Sequence, residues 1–93
     1  MHTLTKSQVL QQLSGLDWTI VDGKLYKRWS FSGFDPAKAF VDRVCGLAQA
    51  HNHHPDLAFG WGYATLTLWT HDALGLTGRD IALVLAIEGA QPA

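Results

Sequence analysis

The amino-acid sequence predicts an α+β fold in which a four-stranded antiparallel sheet carries three helices on one face. Two segments with strand-like patterns are each divided by a glycine turn, and helical periodicity occurs before, between and after them, which gives the order α-β-β-α-β-β-α. The chain has 93 residues, 47% of them hydrophobic, and contains no linker or internal repeat. This length suits one compact domain, so we expect residues 1–93 to form a single domain.

The first helix is predicted to begin at Thr5. Thr5 and Gln8 have the spacing of a capping box, in which each side chain accepts a hydrogen bond from the other residue's backbone amide, and Leu4 is placed to pack on Val9. Gly15 offers a left-handed stop, so this helix should be short. Its apolar face consists of Val9, Leu10, Leu13 and Leu16.

A β-hairpin is predicted next, with strands at 17–21 and 24–31. Asp22 and Gly23 between them form the two-residue turn that most strongly indicates a hairpin. The second strand alternates clearly between its two faces. One face carries Leu25, Lys27, Trp29 and Phe31, and the other carries Tyr26, Arg28 and Ser30.

A second helix is predicted from Pro36 to about His51. Asp35 can cap its free amides, and proline is tolerated at the first helical position. Pro55 prevents the helix from continuing. The stripe expected to face the core comprises Phe40, Val41, Val44, Cys45, Leu47, Ala48 and His51. On this ground we interpret Cys45 as a small hydrophobic residue and His51 as a structural one.

A second antiparallel pair is predicted at 56–61 and 63–70, and the last helix should run from the capping residue Thr77 to about Glu88. Residues 81–87 of this helix are apolar on every side, whereas one small sheet can cover only one side. We therefore expect a second copy of the chain to cover the other side. The small residues that would allow close approach are Ala82, Ala86 and Ala90.

Charge and cysteine content argue against several classes of protein. Seven Lys or Arg residues nearly balance eight Asp or Glu residues, and only Lys24, Lys27 and Arg28 cluster, which we interpret as the solvated rim of a hairpin. Without a concentrated basic face, binding to nucleic acid is not expected. A single cysteine rules out an internal disulfide and suits a reducing compartment. With no secretion signal and no apolar run near the roughly 18 residues of a membrane span, we expect a cytoplasmic protein without membrane contact.

Three histidines are the candidates for chemistry. His53 and His54 lie between the second helix and the third strand, and His71 ends the fourth strand, beside the start of the third in an antiparallel pair. All three can therefore converge at one edge of the sheet. Imidazole donates and accepts protons near neutral pH, which suits general acid and base catalysis without a metal or cofactor.

Other interpretations of these residues stay open. The histidines could be surface residues without a role or, together with His51, ligands of a metal ion. We favour the metal less, because no cysteine or carboxylate is spaced to complete a usual zinc set. Asp80 is sufficiently explained as a carboxylate at a helix N-terminus. Trp61 and Trp69 could either stack on a flat heterocycle or belong to the core.

The motif resembles the signature of the pterin-4a-carbinolamine dehydratase family. That signature is His-His-Pro followed, at set intervals, by an aromatic residue, a further histidine and an aspartate. The matching residues here are His53, His54, Pro55, Trp61, His71 and Asp80. Further segments that resemble the family surround Trp18 and cover 22–23, 29–34, 70–72 and 79–81, so the resemblance extends over nearly the whole chain.

This resemblance implies dehydration of 4a-hydroxytetrahydrobiopterin to quinonoid dihydropterin, in the recycling of tetrahydropterin after an aromatic amino acid hydroxylase. It also implies that His53, His54 and His71 line the pterin site. As a hypothesis, His53 and His71 transfer protons, and His54 binds and orients the ring. Further residues expected at the substrate are Gln49, Pro55, Trp61, Thr70 and Asp80.

One position departs from the family pattern, because Gln49 stands where the family usually has an ionisable residue. Loss of a charged partner could reduce the rate by about ten- to a hundredfold. The resemblance further implies a homodimer or homotetramer. The alternative function is a non-catalytic dimerisation or assembly role on the same fold, as in relatives that partner a homeodomain transcription factor or Rubisco. Retention of the histidines favours the enzyme.

Overall fold

The computed structural model describes residues 2–89 and has the predicted order of elements, an α+β fold. One element was not predicted, a short 3-10 turn between the last strand and the last helix. The bounds are α1 Lys6–Gln12, β1 Thr19–Val21, β2 Lys24–Ser30, α2 Phe34–His51, β3 Asp56–Gly60, β4 Tyr63–Leu68, the 3-10 turn His71–Ala73 and α3 Gly78–Gly89.

The sheet has the strand order β1-β2-β4-β3, and every neighbouring pair is antiparallel. In the β3–β4 pair Asp56 lies opposite Thr67, so the start of β3 is beside the end of β4. The segment that precedes β3 and the segment that follows β4 therefore meet at the same end of the sheet. This register brings residues 53 and 54 towards residue 71.

A single apolar core lies between one face of the sheet and the three helices, as predicted. All three helices contribute to it, and the alternate residues of β2 and β4, among them Tyr26, Arg28, Thr65 and Thr67, lie on the opposite face of the sheet. Its sheet members are Leu25, Trp29, Ala64, Leu66 and Leu68, and its helical members include Val9, Phe40, Val44, Leu83 and Ile87.

The turns at the start of the chain follow local sequence. Thr5 and Gln8 form the predicted capping box, with Thr5 Oγ1 accepting from the Gln8 amide at 3.1 Å and Gln8 Oε1 accepting from the Thr5 amide at 2.8 Å. Asp22 and Gly23 both have left-handed backbones, at φ 51° and 76°, as a two-residue type I′ hairpin turn requires. Strand β1 begins two residues later than predicted, because Asp17 is also left-handed, at φ 66°.

Helix α2 corrects three expectations. It begins at Phe34 after the N-cap Gly33, so Asp35 lies inside the first turn and is not the cap. Cys45 and His51, which we expected to be buried, are exposed. The sheet covers a narrower stripe of this helix than its apolar pattern suggests, and the buried positions are Ala37, Phe40, Val41, Val44 and Ala48.

Lys27 does not belong to a solvated rim of the hairpin, which the sequence predicts for the cluster of Lys24, Lys27 and Arg28. That side chain is 14% exposed, and its Nζ donates to Glu88 Oε1 and to the Leu16 carbonyl, each at 2.6 Å. Lys27 shares the core-facing side of β2 with Leu25 and Trp29, so its ammonium group has to find acceptors there.

Helix α3 buries Ile81, Leu83, Val84 and Ile87 against the sheet, whereas Leu85 on its outer side is 50% exposed. The expectation that a second copy covers this outer side stays a prediction, and Ala90 lies outside the described residues. None of the helices between residues 2 and 89 is long and apolar enough to cross a membrane.

Candidate functional site

The three histidines line one cavity of about 290 Å³ at the end of the sheet. It lies where α2 ends, β3 begins, the 3-10 turn follows β4 and α3 starts. Its volume is close to the lower end of the range for small-molecule sites, about 300–1,000 Å³. The lining residues are Asn52, His53, His54, His71, Asp72 and Arg79.

His53 is buried and paired with a buried carboxylate. Its Nε2 lies 2.6 Å from Asp80 Oδ1, and its backbone amide donates to the Ala48 carbonyl at 3.0 Å, which anchors it to the end of α2. The carboxylate thus engages Nε2 and fixes the orientation of the ring, and among the described residues Nδ1 has no hydrogen-bond partner.

Asp80 accepts two further hydrogen bonds at its other carboxylate oxygen. Its Oδ2 accepts from Thr70 Oγ1 at 2.7 Å and from the Thr77 backbone amide at 2.9 Å, and Thr70 Oγ1 lies 2.8 Å from Thr77 Oγ1. The sequence explanation of Asp80 as a helix N-terminal carboxylate is therefore correct but incomplete. Asp80 and Thr70 are 0% and 1% exposed, so in this geometry they orient His53 instead of contacting a substrate.

His54 is exposed and is held by Gln49. Its Nε2 lies 2.5 Å from Gln49 Oε1, and because a carbonyl oxygen only accepts, the imidazole is the donor. The unusual residue at position 49 thus acts on His54 and not on His53. His54, Gln49 and Pro55 also line an adjoining, more apolar cavity of about 400 Å³.

His71 is exposed and is the first residue of the 3-10 turn. Its imidazole stacks on the indole of Trp69, with the ring centroids 4.2 Å apart and the planes 7° from parallel. Trp69 is also partly buried against the core, which agrees with the core interpretation, whereas its stacking on a bound heterocycle stays a prediction.

Trp61 is not brought to the histidines. It lies in the turn between β3 and β4, at the end of this hairpin away from the cavity, and is 75% exposed. Within the chain, the aromatic residue of the motif is therefore separated from the three histidines by the length of β3.

Three lining residues were not singled out from the sequence: Asn52, Asp72 and Arg79. Arg79 Nη2 donates to the Asn52 carbonyl at 2.8 Å and so ties the first turn of α3 to the end of α2. Asn52 ends α2 in the left-handed conformation, at φ 48°, which asparagine tolerates well. Each of the three is adjacent in sequence to a predicted site residue, and Asp72 and Arg79 also lie in the segments 70–72 and 79–81 that resemble the family.

Among residues 2–89, no three His, Cys, Asp or Glu side chains are grouped closely enough to hold a metal ion. His51, the fourth histidine of the metal interpretation, is exposed on α2 and does not line the cavity. The geometry of the described residues thus offers no site for that interpretation.

Comparison with known proteins identifies close relatives along the whole chain. Residues 2–90 match the family described as pterin 4 alpha carbinolamine dehydratase. A protein of Prochlorococcus marinus is 41% identical over 86 residues, covering 92% of this chain and 88% of its own. A protein of Chloroflexus aurantiacus is 37% identical over 89 residues, covering 95% and 96%. Both are provisionally described as pterin-4-alpha-carbinolamine dehydratases.

Two solved structures are similar in fold. A transcriptional coactivator/pterin dehydratase from Brucella melitensis superposes with a TM-score of 0.85 at 28% identity, covering 95% of this chain and 97% of its own. A pterin dehydratase-like protein identified as a RuBisCO assembly factor in the alpha-carboxysome superposes with a TM-score of 0.62 at 25% identity, covering 77% and 83%. The fold thus occurs both in a protein named for an enzyme and in one named for assembly.

Proposed function

The chain belongs to the pterin 4 alpha carbinolamine dehydratase family, and from this premise and the geometry of the histidine cavity we propose that it dehydrates 4a-hydroxytetrahydropterin to quinonoid dihydropterin and water. The observation that carries the proposal is the convergence of three histidines on one cavity, one of them paired at 2.6 Å with a fully buried aspartate. A surface cluster without a role would not need this internal support.

The reaction requires two proton transfers and no change of oxidation state. A proton reaches the 4a-hydroxyl oxygen, the C4a–O bond breaks, and water leaves. The N5–H proton is removed, and its electron pair forms the C4a=N5 double bond of the quinonoid product. Histidine side chains can perform both transfers as general acid and general base.

The surroundings of each histidine suggest a division of work. His53 is buried and held at Nε2 by Asp80, which leaves Nδ1 to give or take a proton in a fixed position. His71 is the second candidate for proton transfer, because it is exposed at the cavity and its ring is held by stacking. His54, hydrogen-bonded to Gln49, would bind and orient the pterin ring.

The direct test is the rate at which the purified protein releases quinonoid dihydropterin from 4a-hydroxytetrahydropterin. We expect acceleration by the native protein and its loss in His53→Ala, since general acid or base catalysis contributes about 10²–10⁴-fold. His51→Ala is the matched control, because His51 is an exposed histidine two positions away that does not line the cavity. No acceleration by the native protein, or an equal loss in both variants, would refute the proposal.

We also propose the source of the substrate and the state in which the protein works. An aromatic amino acid hydroxylase that uses tetrahydropterin would supply the hydroxylated substrate. We propose residues 1–93 as one domain that works as a homodimer or homotetramer in the cytoplasm, on the grounds of the apolar outer side of α3 and the single cysteine.

A non-catalytic assembly role is the second candidate. It is favoured by the resemblance to the protein named as a RuBisCO assembly factor and by the half-exposed Leu85 on α3. Such a role makes no demand on His53 or Asp80, and the conservative variant Asp80→Asn would then leave assembly intact. The enzymatic proposal is preferred because the buried network behind His53 has no evident purpose in assembly.

A further inference from the structure

The three cavity histidines are supported in different ways. His53 has a carboxylate partner and His54 has an amide partner. Within residues 2–89, by contrast, no group hydrogen-bonds the imidazole of His71. Its ring is held by a face-to-face stack on Trp69.

The second face of Trp69 is occupied as well. Lys24 Nζ lies 4.1 Å from the centroid of the indole. Since the imidazole of His71 takes one face at 4.2 Å, the ammonium group must lie over the other. The indole is therefore held between a cation and an imidazole.

The strand register explains why Lys24 and Trp69 meet. β2 and β4 pair with Leu25 opposite Leu68, and continuing this register by one residue places Lys24 opposite Trp69. Directly opposed residues point to the same face of a sheet, so the two side chains lie next to each other. Lys24 in turn follows the tight Asp22-Gly23 turn, which fixes the register of the hairpin.

We propose that Trp69, supported by Lys24, is a positioning residue for the reaction: it holds the plane of the His71 ring so that a ring nitrogen faces the cavity. This inference rests on the proposed dehydratase function. Trp69 stacks on His71 and does not itself line the cavity. An exposed imidazole in a three-residue 3-10 turn would otherwise rotate freely about its side-chain bonds, and proton transfer requires a fixed donor geometry.

The kinetic test compares Trp69→Leu, Trp69→Phe and Lys24→Gln with the native protein. In Trp69→Leu we expect kcat to fall about tenfold, with KM changed by less than about twofold, because the ring is released without loss of a binding contact. Trp69→Phe retains a flat ring and should recover most of the rate. Lys24→Gln should reduce kcat by about two- to fivefold, in line with an exposed cation–π contact.

A structural readout separates positioning from general destabilisation. A proton that lies over an indole is shifted upfield in the NMR spectrum, so we expect upfield Hδ2 and Hε1 resonances for His71, identified by their absence from His71→Asn. In Trp69→Leu they should move towards the resonances of the exposed His51. Tyr63→Leu is the matched control, because Tyr63 lies at the far end of β4 with Arg28 over its ring, 5.4 Å from the centroid. It should leave both the His71 resonances and kcat unchanged.

The outcomes distinguish this inference from the proposed function. An active protein whose kcat is unchanged in Trp69→Leu, or falls equally in Tyr63→Leu, would overturn the role of Trp69 alone. Native His71 resonances at the positions of an unstacked histidine would do the same. A native protein without dehydratase activity would overturn the proposed function and with it the catalytic part of this inference, even if the upfield shift is found.

Discussion

The imidazole of His53 and the carboxylate of Asp80 lie 2.6 Å apart with exposures of only 6% and 0%, although 27 positions separate them in the chain. Asp80 also accepts from Thr70 and from the Thr77 amide, so its oxygen atoms are fully engaged inside the protein. The carboxylate supports His53, the proposed catalytic histidine, from behind and takes no part in forming the wall of the cavity.

Replacing Asp80 by Asn should therefore reduce activity more than it alters the fold. The amide keeps the shape of the carboxylate and can accept from the Thr77 backbone amide, but it no longer provides the negative charge opposite His53. We expect kcat to be lower by about a hundredfold, with KM nearly unchanged. The control is Asp42→Asn on the exposed side of α2. A kcat within about threefold of the native value would contradict the positioning role.

Replacing Gln49 by Glu should raise the rate. A carboxylate in place of the amide would turn the hydrogen bond to His54 Nε2 into a charge-assisted one. Such bonds contribute about 1.5–3 kcal/mol. We therefore expect the rate of dehydration to rise about tenfold. Gln49→Ala should lower the rate. Gln11→Glu on the exposed side of α1 introduces the same charge at a position that lines neither cavity, and it serves as the control. An unchanged rate in Gln49→Glu would mean that His54 does not respond to its partner.

Replacing Lys27 by Met should destabilise the fold by about 2 kcal/mol. The substitution removes the ammonium group that lies 2.6 Å from Glu88, and both side chains of this pair are 14% exposed. Removing one partner of a largely buried ion pair lowers the free energy of unfolding, because the other charge is left without a partner. Chemical denaturation gives the free energy of unfolding. The double variant Lys27→Met with Glu88→Leu should regain part of the loss, because no charge is left unpaired but the Leu16 carbonyl and Trp18 Nε1 each lose a partner. Lys38→Met, which removes the exposed pair with Asp42, is the control and should change little.

Replacing Leu74 by Asn should stabilise the protein by about 0.5–1 kcal/mol. Leu74 has a left-handed backbone, at φ 54°, and is 91% exposed, so the substitution relieves backbone strain without loss of buried area. The thermal midpoint is the measurement. Leu10→Asn, at a partly exposed position with ordinary helical geometry in α1, should not stabilise. A lower midpoint for Leu74→Asn would indicate that this side chain is covered by another molecule in solution.

Replacing Leu85 by Glu should reduce the oligomeric mass. If a second copy covers the outer side of α3, a charge at this half-exposed position would be buried without a partner. Light scattering at micromolar concentration should give a dimer or tetramer for the native chain and a smaller mass for the variant. Val21→Glu, equally exposed on the edge strand β1, should leave the mass unchanged. A native monomer at that concentration would contradict the prediction.

Sequence alone was sufficient for the order of elements, the Asp22-Gly23 turn, the capping box of α1 and the convergence of the histidines. Turns and caps depend on a few adjacent residues whose backbone preferences are strong. The convergence follows from chain order, because the start of one strand and the end of its antiparallel partner share an edge. Membership of the family was likewise readable from the spacing of the histidine motif.

The burial and the partner of each side chain were decided only by the tertiary structure. The apolar pattern of α2 is wider than the surface that the sheet covers, so Cys45 and His51 are exposed. The sequence explained Asp80 as a carboxylate at a helix N-terminus, but the structure shows that it also pairs with His53. Lys27 forms an ion pair with Glu88, which lies 61 positions away in the sequence. The periodicity of a sequence indicates which face of a helix or strand is apolar. It does not indicate which distant element packs on that face, or which partners the polar groups on that face contact. Those contacts exist only once the helices have packed on the sheet, and they determine which residues support the site.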